Sequence, residues 1–369
     1  MLHVIDSACD ETQLQVLKAL RERLAAGGRK DAICAIDPHT AARASAHLSE
    51  EVIHAYRRLP RFLNDVPELR RVVGRSDARI LHAWGVESAA CCSARLPGMP
   101  LVITLLDPDT TGEAAGWVRS LPCEATVVAG SQLIRRRLMA AGVAPANVVV
   151  IRGPTDWSAI NREKRADTRR AVVGDATPVI LMSGPPSRGG GQFYGLWAAA
   201  IVKQIYPGLT VLLPYDSPER RRLIRFVRRI RMPSLLTVPA SGHGWPALVA
   251  CADLFLMPAV NEVCTEPLAA AMAGGLVVVG CAVRSIAEII ADRSNGLLCK
   301  NAEPRALASR LLTAIEDEPL RRRLTETARG QAYEVFGARA FADNYSRLYE
   351  NVLAGRPAAD NVRDTAMVA

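Results

Sequence analysis

The feature that most constrains the fold is a repeated alternation of two hydrophobic patterns. Short runs rich in Val, Ile and Leu recur along the chain, and most are followed by a longer stretch whose apolar residues have helical spacing. Strands that alternate with helices in this way are typical of parallel sheets in α/β proteins. The pattern therefore predicts an α/β fold.

The alternation forms two series, which predicts two domains of similar construction. A chain of 369 residues is long enough for two domains of about 150 residues each. The stretch between the series is polar and unpatterned and is the best candidate for a linker. We expect a Rossmann-like N-terminal domain over residues 1–155, a linker over 156–177, a Rossmann-like C-terminal domain over 178–335, a closing helix over 336–355 that returns to the first domain, and a flexible tail over 356–369.

Composition favours a protein of the cytoplasm. No charge-free apolar run reaches the roughly 18 to 20 residues that a spanning helix needs, and the first residues lack the pattern of a secretory signal. The nine cysteines are scattered without a Cys-x-x-Cys pair and are expected to be reduced thiols. The net charge of +9 favours anionic partners such as phosphates, nucleotides or anionic lipid.

The first stretch with chemical information begins at Met257 and continues Pro-Ala-Val-Asn-Glu-Val-Cys-Thr-Glu-Pro. It predicts a strand that ends at Pro258, a loop that carries Glu262, and a helix that begins near Thr265. The free N–H groups of a helix start favour an anion, and a diphosphate is a natural ligand there. These residues alone equally allow an ordinary loop acid followed by a good helix start.

This stretch resembles the donor-binding segment of the family 4 (group 1) glycosyltransferases. Other segments fall in the family's order, including His82-Ala-Trp-Gly, Val127-Val-Ala-Gly-Ser, Ala271-Met-Ala-Gly-Gly and Asn295-Gly-Leu-Leu. The resemblance implies a GT-B-like fold, in which two Rossmann-like domains with parallel sheets face a central cleft. It also implies a retaining transfer from a nucleotide diphosphate sugar to an unknown acceptor (glycan, lipid-linked or small molecule) without a metal or other cofactor.

The family's functional positions can be transferred onto this chain one at a time. The first conserved glutamate of the family corresponds to Glu262, which would hold hydroxyls of the donor sugar. Arg188 replaces a lysine that binds the diphosphate, and no protein base is evident, so the departing phosphate oxygen would accept the proton. The residues expected to bind the donor are Gly184, Ser187, Arg188, Glu262, Cys264, Thr265 and Glu266.

Three positions depart from the family's pattern. The second glutamate, which contacts the ribose, is Ala270; an arginine that contacts the diphosphate is Pro185; and a histidine of the first domain is Leu106. Losing the glutamate and one cation would lower transfer by roughly three to five powers of ten if the effects were independent. The alternative hypothesis is therefore a catalytically inactive relative that binds a nucleotide, a glycan or a partner subunit.

The segment Arg220–Arg231 contains seven arginines among apolar residues and predicts a basic amphipathic helix. The simpler interpretation is a solvated surface helix. The functional alternative is peripheral contact with anionic lipid at the inner face of the membrane, which suits membrane-linked acceptors. Nucleic acid is disfavoured because no recognised binding motif accompanies the charge.

Other polar residues carry weaker signals. Asp107-Pro-Asp109 imitates a metal-binding motif that belongs to a different glycosyltransferase architecture. His82 is interpreted as a structural residue rather than a base. His243 lies in a loop near the expected nucleotide base, and the neighbouring Trp245 either stacks on that base or packs the following helix; we favour packing.

Overall fold

The protein forms two compact units, and each contains one parallel sheet. The computed structural model describes the chain except for residues 7–8, 10, 27, 29–30, 49–51, 55–66, 97, 107–123, 164, 184–187, 215–218, 241–242, 264, 361 and 363–369. The first unit comprises Met1–Pro154 and the last helix, which begins at Ala338. The second unit comprises Thr155–Gly337.

The sheet of the first unit has seven strands in the order β3-β2-β1-β4-β5-β6-β7, and every neighbouring pair is parallel. The strand order reverses direction between β1 and β4, which are hydrogen-bonded to each other. The strands are β1 Leu2–Ile5, β2 Ala32–Ala35, β3 Ile53–His54, β4 Leu81–Trp84, β5 Leu101–Leu105, β6 Thr126–Ala129 and β7 Val148–Val150.

Helices bury both faces of this sheet. The hydrophobic cluster on one face includes residues from α1, α2 and α15, and the cluster on the other includes residues from α3, α4 and α5. Ser131 is the N-cap residue of α5, and its hydroxyl accepts a hydrogen bond from the Ile134 amide. The helices are α1 Glu11–Ala26, α2 Pro38–Leu48, α3 Pro67–Ser76, α4 Val86–Arg95, α5 Gln132–Ala140 and, at the end of the chain, α15 Ala338–Leu353.

The sheet of the second unit has six parallel strands in the order β10-β9-β8-β11-β12-β13. The order reverses between β8 and β11, as it does between β1 and β4 in the first unit. The strands are β8 Val179–Met182, β9 Thr210–Leu212, β10 Leu236–Thr237, β11 Leu254–Met257, β12 Val277–Cys281 and β13 Leu297–Cys299.

Both faces of the second sheet are also covered by helices. One hydrophobic cluster includes residues of α8, α9, α13 and the first half of α14, and the other includes residues of α10, α11 and the second half of α14. The helices are α6 Trp157–Arg162, α7 Arg165–Val173, α8 Gln192–Lys203, α9 Arg220–Arg229, α10 Trp245–Cys251, α11 Glu266–Ala273, α12 Arg284–Ala287, α13 Pro304–Glu316 and α14 Glu318–Phe336.

The two parallel sheets confirm the predicted α/β class, and three segments differ in detail from the sequence pattern. Helix α2 was not predicted. The segment 156–177, expected to be an unpatterned linker, contains α6 and α7, and Arg169 of α7 forms a two-point ion pair with Asp253 at 2.8 Å for both bonds. The first residues of the expected tail are packed rather than loose, because Ala358 is buried in the core of the first unit.

Candidate functional site

The candidate donor site lies where the strand order of the second sheet reverses. β8 and β11 are neighbours at that point, and the chain leaves them in opposite directions along the sheet. In parallel α/β sheets such a reversal opens a crevice at the carboxyl ends of the strands, and ligands bind there. The loops after β8 and β11 carry the donor-binding residues that the sequence predicted.

Backbone hydrogen bonds join these two loops. After β8 the chain forms a short 3₁₀ turn, Arg188–Gly190, and the carbonyl oxygen of Gly189 accepts from the amides of Val260 (2.8 Å) and Asn261 (3.1 Å). Gly191 has a φ of +68°, and a Cβ atom built on it would lie 1.7 Å from the carbonyl oxygen of Pro258. Only glycine fits this approach, so Gly191 allows the specific contact between the two loops.

Glu262 is tied to the loop after the next strand, β12. Its Oε2 accepts a hydrogen bond of 2.8 Å from the Ser285 amide at the start of α12, and the Ser285 hydroxyl accepts one of 3.1 Å from the Val263 amide. Ser285 is fully buried. These two hydrogen bonds fix the Glu262 carboxylate through its Oε2 atom. The other carboxylate oxygen, Oε1, is the atom that could accept a hydrogen bond from a ligand hydroxyl.

Helix α11 begins directly after this loop. Thr265 occupies its N-cap position without a hydrogen bond from its side chain, and Pro267 lies in the first turn. Ala270, at the position where the resemblance leads us to expect a second glutamate, is 8% exposed and belongs to a hydrophobic cluster. Glu266 lies one turn earlier and is half-buried. The position that would contact a ribose therefore has an apolar side chain.

In the structure, two segments that contain predicted donor-binding residues are in backbone contact. The backbone turn that starts at Arg188 contacts the loop that carries Glu262, and Thr265 and Glu266 follow that loop. Gly184, Ser187 and Cys264 lie outside the described residues, as do Pro185 and the side chain of Arg188. Sequence reasoning missed Ser285, because it lies 22 residues beyond Val263 in the chain and no local pattern connects the two.

The corresponding reversal in the first sheet is filled by a carboxylate of the protein. Asp6 directly follows β1, is fully buried, and accepts a hydrogen bond of 2.8 Å from the Ser88 amide in the first turn of α4. Gly85 has a φ of +132°, and a Cβ atom there would lie 2.4 Å from the Asp6 carboxylate. An acidic side chain thus occupies the start of α4, where a free helix N-terminus would attract an anion.

His82 lies deep in the first unit. Its Nε2 atom lies 2.7 Å from the Thr104 hydroxyl and its Nδ1 atom lies 2.8 Å from the Tyr349 hydroxyl of α15. Burial lowers the pKa of His82 well below its usual value, so the ring is neutral near pH 7. These contacts agree with the structural interpretation of His82.

A second buried histidine, His3, lies beside His82 on the neighbouring strand. The Trp84 indole donates to its Nδ1 atom at 3.2 Å, and its Nε2 atom lies 3.3 Å from the Asp31 carboxylate. Burial lowers the pKa of His3. Although burial of Asp31 opposes the effect, its interactions with His3 and Arg21 lower the pKa of Asp31 to about 2.

The remaining predicted residues have simpler surroundings. His243 is exposed, and its ring nitrogen lies 3.1 Å from the Ala240 carbonyl oxygen. Trp245 packs against a core cluster, as the favoured interpretation predicts. Leu106 packs against the core of the first unit. Asp107 and Asp109 lie outside the described residues. Among the residues that the structure does describe, no group of three acidic, His or Cys side chains is arranged to hold a metal ion.

The arginine-rich segment forms α9, which ends at Arg229. Leu223 and Val227 are buried against the core of the second unit, and six arginines lie within the helix. In the part of the chain that the structure describes, no helix combines the length and apolar character that membrane crossing requires.

Comparison of the sequence with known proteins identifies residues 238–331 as a match to the family described as glycosyl transferases group 1. The matched segment includes the loop after β11, Glu262 and α11. The chain is also 28% identical over 143 residues to N-acetyl-alpha-D-glucosaminyl L-malate synthase of Bacillus anthracis. That alignment spans 39% of this chain and 38% of the Bacillus protein.

Comparison of the fold identifies similar solved structures over almost the whole chain. HepE of Anabaena, in complex with UDP and glucose, has a TM-score of 0.76 at 18% identity and covers 95% of this chain and 99% of its own. A glycosyltransferase from Rickettsia africae has a TM-score of 0.78 at 13% identity and covers 95% of this chain and 98% of its own. These findings confirm the GT-B fold and the resemblance to group 1 glycosyltransferases.

Proposed function

We propose that this protein is a retaining glycosyltransferase that moves a sugar from a nucleotide diphosphate sugar to an acceptor hydroxyl. The observation that carries the proposal is the pair of hydrogen bonds from Val260 and Asn261 to the Gly189 carbonyl. They bring the turn that starts at Arg188 against the loop of Glu262, at the reversal point of a nucleotide-binding type of sheet. The proposal assigns a cation from the first loop to the diphosphate and a carboxylate from the second loop to the sugar hydroxyls.

In this proposal, the residues divide between the two ends of the donor. Glu262 accepts hydrogen bonds from sugar hydroxyls through Oε1, while Oε2 remains bonded to the Ser285 amide. The Arg188 guanidinium binds the diphosphate, together with the amides of Cys264 and Thr265 at the start of α11. Gly184 and Ser187 are also assigned to donor binding, and Glu266, one helical turn before Ala270, is assigned to replace part of the ribose contact.

The proposed reaction replaces one bond to the anomeric carbon with another on the same face. The acceptor oxygen bonds to that carbon while the bond to the diphosphate oxygen breaks. The proton of the acceptor hydroxyl passes to the departing phosphate oxygen, and the bonding electrons leave with the diphosphate. Arg188 and the helix amides stabilise the charge that develops on the leaving group.

A uridine diphosphate sugar is the first donor to test. HepE of Anabaena, which shares the fold, has been solved with UDP and glucose and with UDP-glucose. For the acceptor we propose a membrane-linked molecule, and for the protein a cytoplasmic location with peripheral contact at the inner face of the membrane. The arginine-rich helix α9 supports this part of the proposal.

A second candidate function is a catalytically inactive relative that binds a nucleotide, a glycan or a partner subunit. The observation that favours it is the burial of Ala270 in a hydrophobic cluster, which leaves the ribose position without a carboxylate. Such a protein would keep the loop contacts around Gly189 and would bind without transferring a sugar.

The test is calorimetric titration of the full chain with UDP-, GDP- and ADP-glucose and with UDP alone. The titrations with UDP-glucose and UDP are repeated for Glu262→Gln. Glutamine retains an oxygen that accepts from the Ser285 amide, so the loop should remain folded. We expect Glu262→Gln to weaken UDP-glucose binding about tenfold to a hundredfold and UDP binding much less. Glu334→Gln, an exposed acid on α14, is the matched control.

The outcomes of this titration, and of an assay for release of UDP or glucose, decide between the two candidate functions. Absence of UDP-, GDP- and ADP-sugar binding at millimolar donor would remove the enzyme proposal. Equal loss of UDP-glucose and UDP binding in Glu262→Gln would show that Glu262 does not hold the sugar. Donor binding without release of UDP or glucose, in the presence of lipid extracts and soluble glycans, would favour the inactive relative.

A further inference from the structure

A groove of about 880 Å³ lies between α8 and α9 on the second unit. Its floor is apolar and its rim is basic. Helix α8 contributes aromatic and aliphatic side chains, and α9 contributes a stripe of arginines. We call this surface the arginine–aromatic groove; it is lined by Phe193, Trp197, Ala200, Ile201, Gln204, Arg222, Arg225, Phe226, Arg229, Ile230 and Met232.

The aromatic side of the groove is packed at its base and open at its edge. The Phe193 and Phe226 rings meet with their centroids 4.8 Å apart, and the Trp197 ring lies 6.0 Å from Phe193 and 6.4 Å from Phe226. Nevertheless, Trp197 is 48% exposed and the neighbouring Tyr194 is 42% exposed. Residues 194, 197 and 201 have the spacing of one helix face, and the exposed Ile205 follows at the end of α8. The helix thus presents an apolar stripe to solvent.

The arginines are arranged on one stripe of α9. Arg222, Arg225 and Arg229 are spaced by three and four residues, so they project from the same helix face. The Arg222 guanidinium lies 5.0 Å above the centre of the Phe193 ring and also pairs with Glu219 at 3.0 Å. Arg225 and Arg229 are exposed, and α9 contains no acidic residue. The stripe therefore presents positive charge beside the aromatic edge.

We propose that the arginine–aromatic groove docks on an anionic phospholipid bilayer, with Trp197 and Tyr194 in the headgroup layer and Arg225 and Arg229 on lipid phosphates. This inference rests on the proposed function for its membrane-linked acceptor, and it adds which residues make the contact. Trp and Tyr favour the membrane–water interface because their rings have an apolar body and a polar edge. Arginine pairs with phosphate through its planar fork of donors.

The apolar stripe and the arginines together favour an anionic membrane as the partner over a nucleic acid or an acidic protein. A nucleic acid or an acidic protein would be attracted by the arginines, but neither requires an apolar stripe that continues from Trp197 to Ile205. An interfacial helix needs both an apolar face and a basic face. Here the two faces come from neighbouring helices whose buried residues, such as Leu196 and Leu223, fix them to one core.

The test is co-sedimentation of the full chain with vesicles of phosphatidylcholine and phosphatidylglycerol, compared with vesicles of phosphatidylcholine alone. We expect binding only to the anionic vesicles. Trp197→Ala should weaken it about tenfold, and Arg225→Glu with Arg229→Glu should weaken it at least as much. The matched controls are Tyr333→Ala, an exposed aromatic on α14, and Arg305→Glu with Arg323→Glu, an exposed pair on α13 and α14.

A second readout measures insertion directly. Lipids brominated near the headgroup should quench part of the tryptophan fluorescence of the unmodified protein, and Trp197→Ala should lose that part. Vesicle binding that Trp197→Ala leaves unchanged, or unquenched fluorescence at saturation, would overturn the proposal in favour of simple charge adsorption. Binding to duplex DNA with none to anionic vesicles would overturn it in favour of a nucleic-acid surface.

The membrane proposal and the donor proposal fail separately. Trp197→Ala and the arginine variants should bind UDP-glucose as the unmodified protein does. Vesicle binding without nucleotide binding would support membrane docking of the groove and contradict the proposed transferase function. Nucleotide binding without vesicle binding would support donor binding and contradict membrane docking.

Discussion

The reversal points of the two sheets are alike in topology and different in what occupies them. In the first unit, Asp6 follows the central strand β1 and its carboxylate binds the first turn of α4, which follows β4. In the second unit, Ser183 follows the corresponding strand β8, and Thr265 at the start of α11 provides no side-chain cap. At the first edge, a protein carboxylate binds the first turn of the helix. At the second edge, the Glu262 carboxylate instead binds the Ser285 amide of α12, and the loops meet through the Gly189 carbonyl.

This difference shows how one architecture can serve two purposes. An anion at a helix N-terminus is stabilised by the helix dipole whether it comes from the protein or from a ligand. Where Asp6 occupies that position, the edge is a structural element. Where the N-cap side chain makes no hydrogen bond to the helix, as at Thr265, we expect the edge to be suited to a phosphate. The following predictions test that contrast.

The largest effect is expected for Gly191→Ala. A Cβ atom there lies 1.7 Å from the Pro258 carbonyl oxygen at a φ of +68°, so the loops after β8 and β11 must separate. We expect a loss of about 2 to 5 kcal/mol in the free energy of unfolding, and loss of donor binding. Gly275→Ala, at a φ of +74° with open space around it, should cost only about 1 kcal/mol in urea unfolding. Similar losses in both variants would contradict the loop contact.

A smaller effect is expected for Asp6→Ala. The change leaves the Ser88 amide and the start of α4 without their carboxylate, which should lower the free energy of unfolding by about 1 to 3 kcal/mol. Asp6 lies in the first unit, whereas the proposed donor loops lie in the second unit. Calorimetry should therefore show unchanged affinity for UDP-glucose. Asp6→Asn retains an acceptor oxygen and should recover part of the stability. A loss of donor affinity in a stably folded Asp6→Ala would show that this edge binds ligand too.

The buried histidines predict a loss of stability in mild acid. Burial lowers the pKa of His3 and His82 in the fold, whereas in the unfolded chain each takes up a proton near its usual pKa of about 6.5. Stability should therefore be constant above about pH 7 and fall by about 1 to 2 kcal/mol towards pH 5.5. The carboxyl of Asp31 has a pKa of about 2 in the fold, below its unfolded pKa near 4. Its stabilising contribution is therefore constant above about pH 5 and does not change the stability between pH 7 and pH 5.5.

Urea midpoints measured across this pH range check the prediction. His82→Gln should reduce the slope of the urea midpoint against pH. His243→Gln, at an exposed position, should leave that slope unchanged. A slope that His82→Gln does not alter would assign the acid sensitivity to other groups.

The smallest effect is expected for Tyr349→Phe. This change removes the hydroxyl 2.8 Å from the His82 ring and should lower the free energy of unfolding by about 1 kcal/mol without altering donor affinity. Tyr345→Phe, which loses a contact of 2.8 Å with the Thr104 hydroxyl, should behave in the same way. Tyr333→Phe on the exposed side of α14 is the control, and thermal unfolding is the measurement. An effect of Tyr333→Phe as large as the others would show that burial is not the cause.

Much of the fold could be predicted because its signal is local. The Val-, Ile- and Leu-rich runs mark most strands to within one or two residues, and the Ser131 cap marks the start of α5. Helix α2 was missed, since its segment is rich in small residues and begins with Pro38, which gives little apolar periodicity. Helices α6 and α7 were missed because their apolar residues are only partly buried.

The amino-acid sequence by itself determined the alternation of strands and helices, the two-series organisation, and the family motif that includes Glu262. Each depends on residues close together in the chain. Only the tertiary structure decided that the Gly189 carbonyl joins two loops, that Ser285 fixes Glu262, and that Trp197 lies beside a stripe of arginines. Those contacts connect residues separated by at least twenty positions, and their geometry depends on how strands and helices pack rather than on any local pattern.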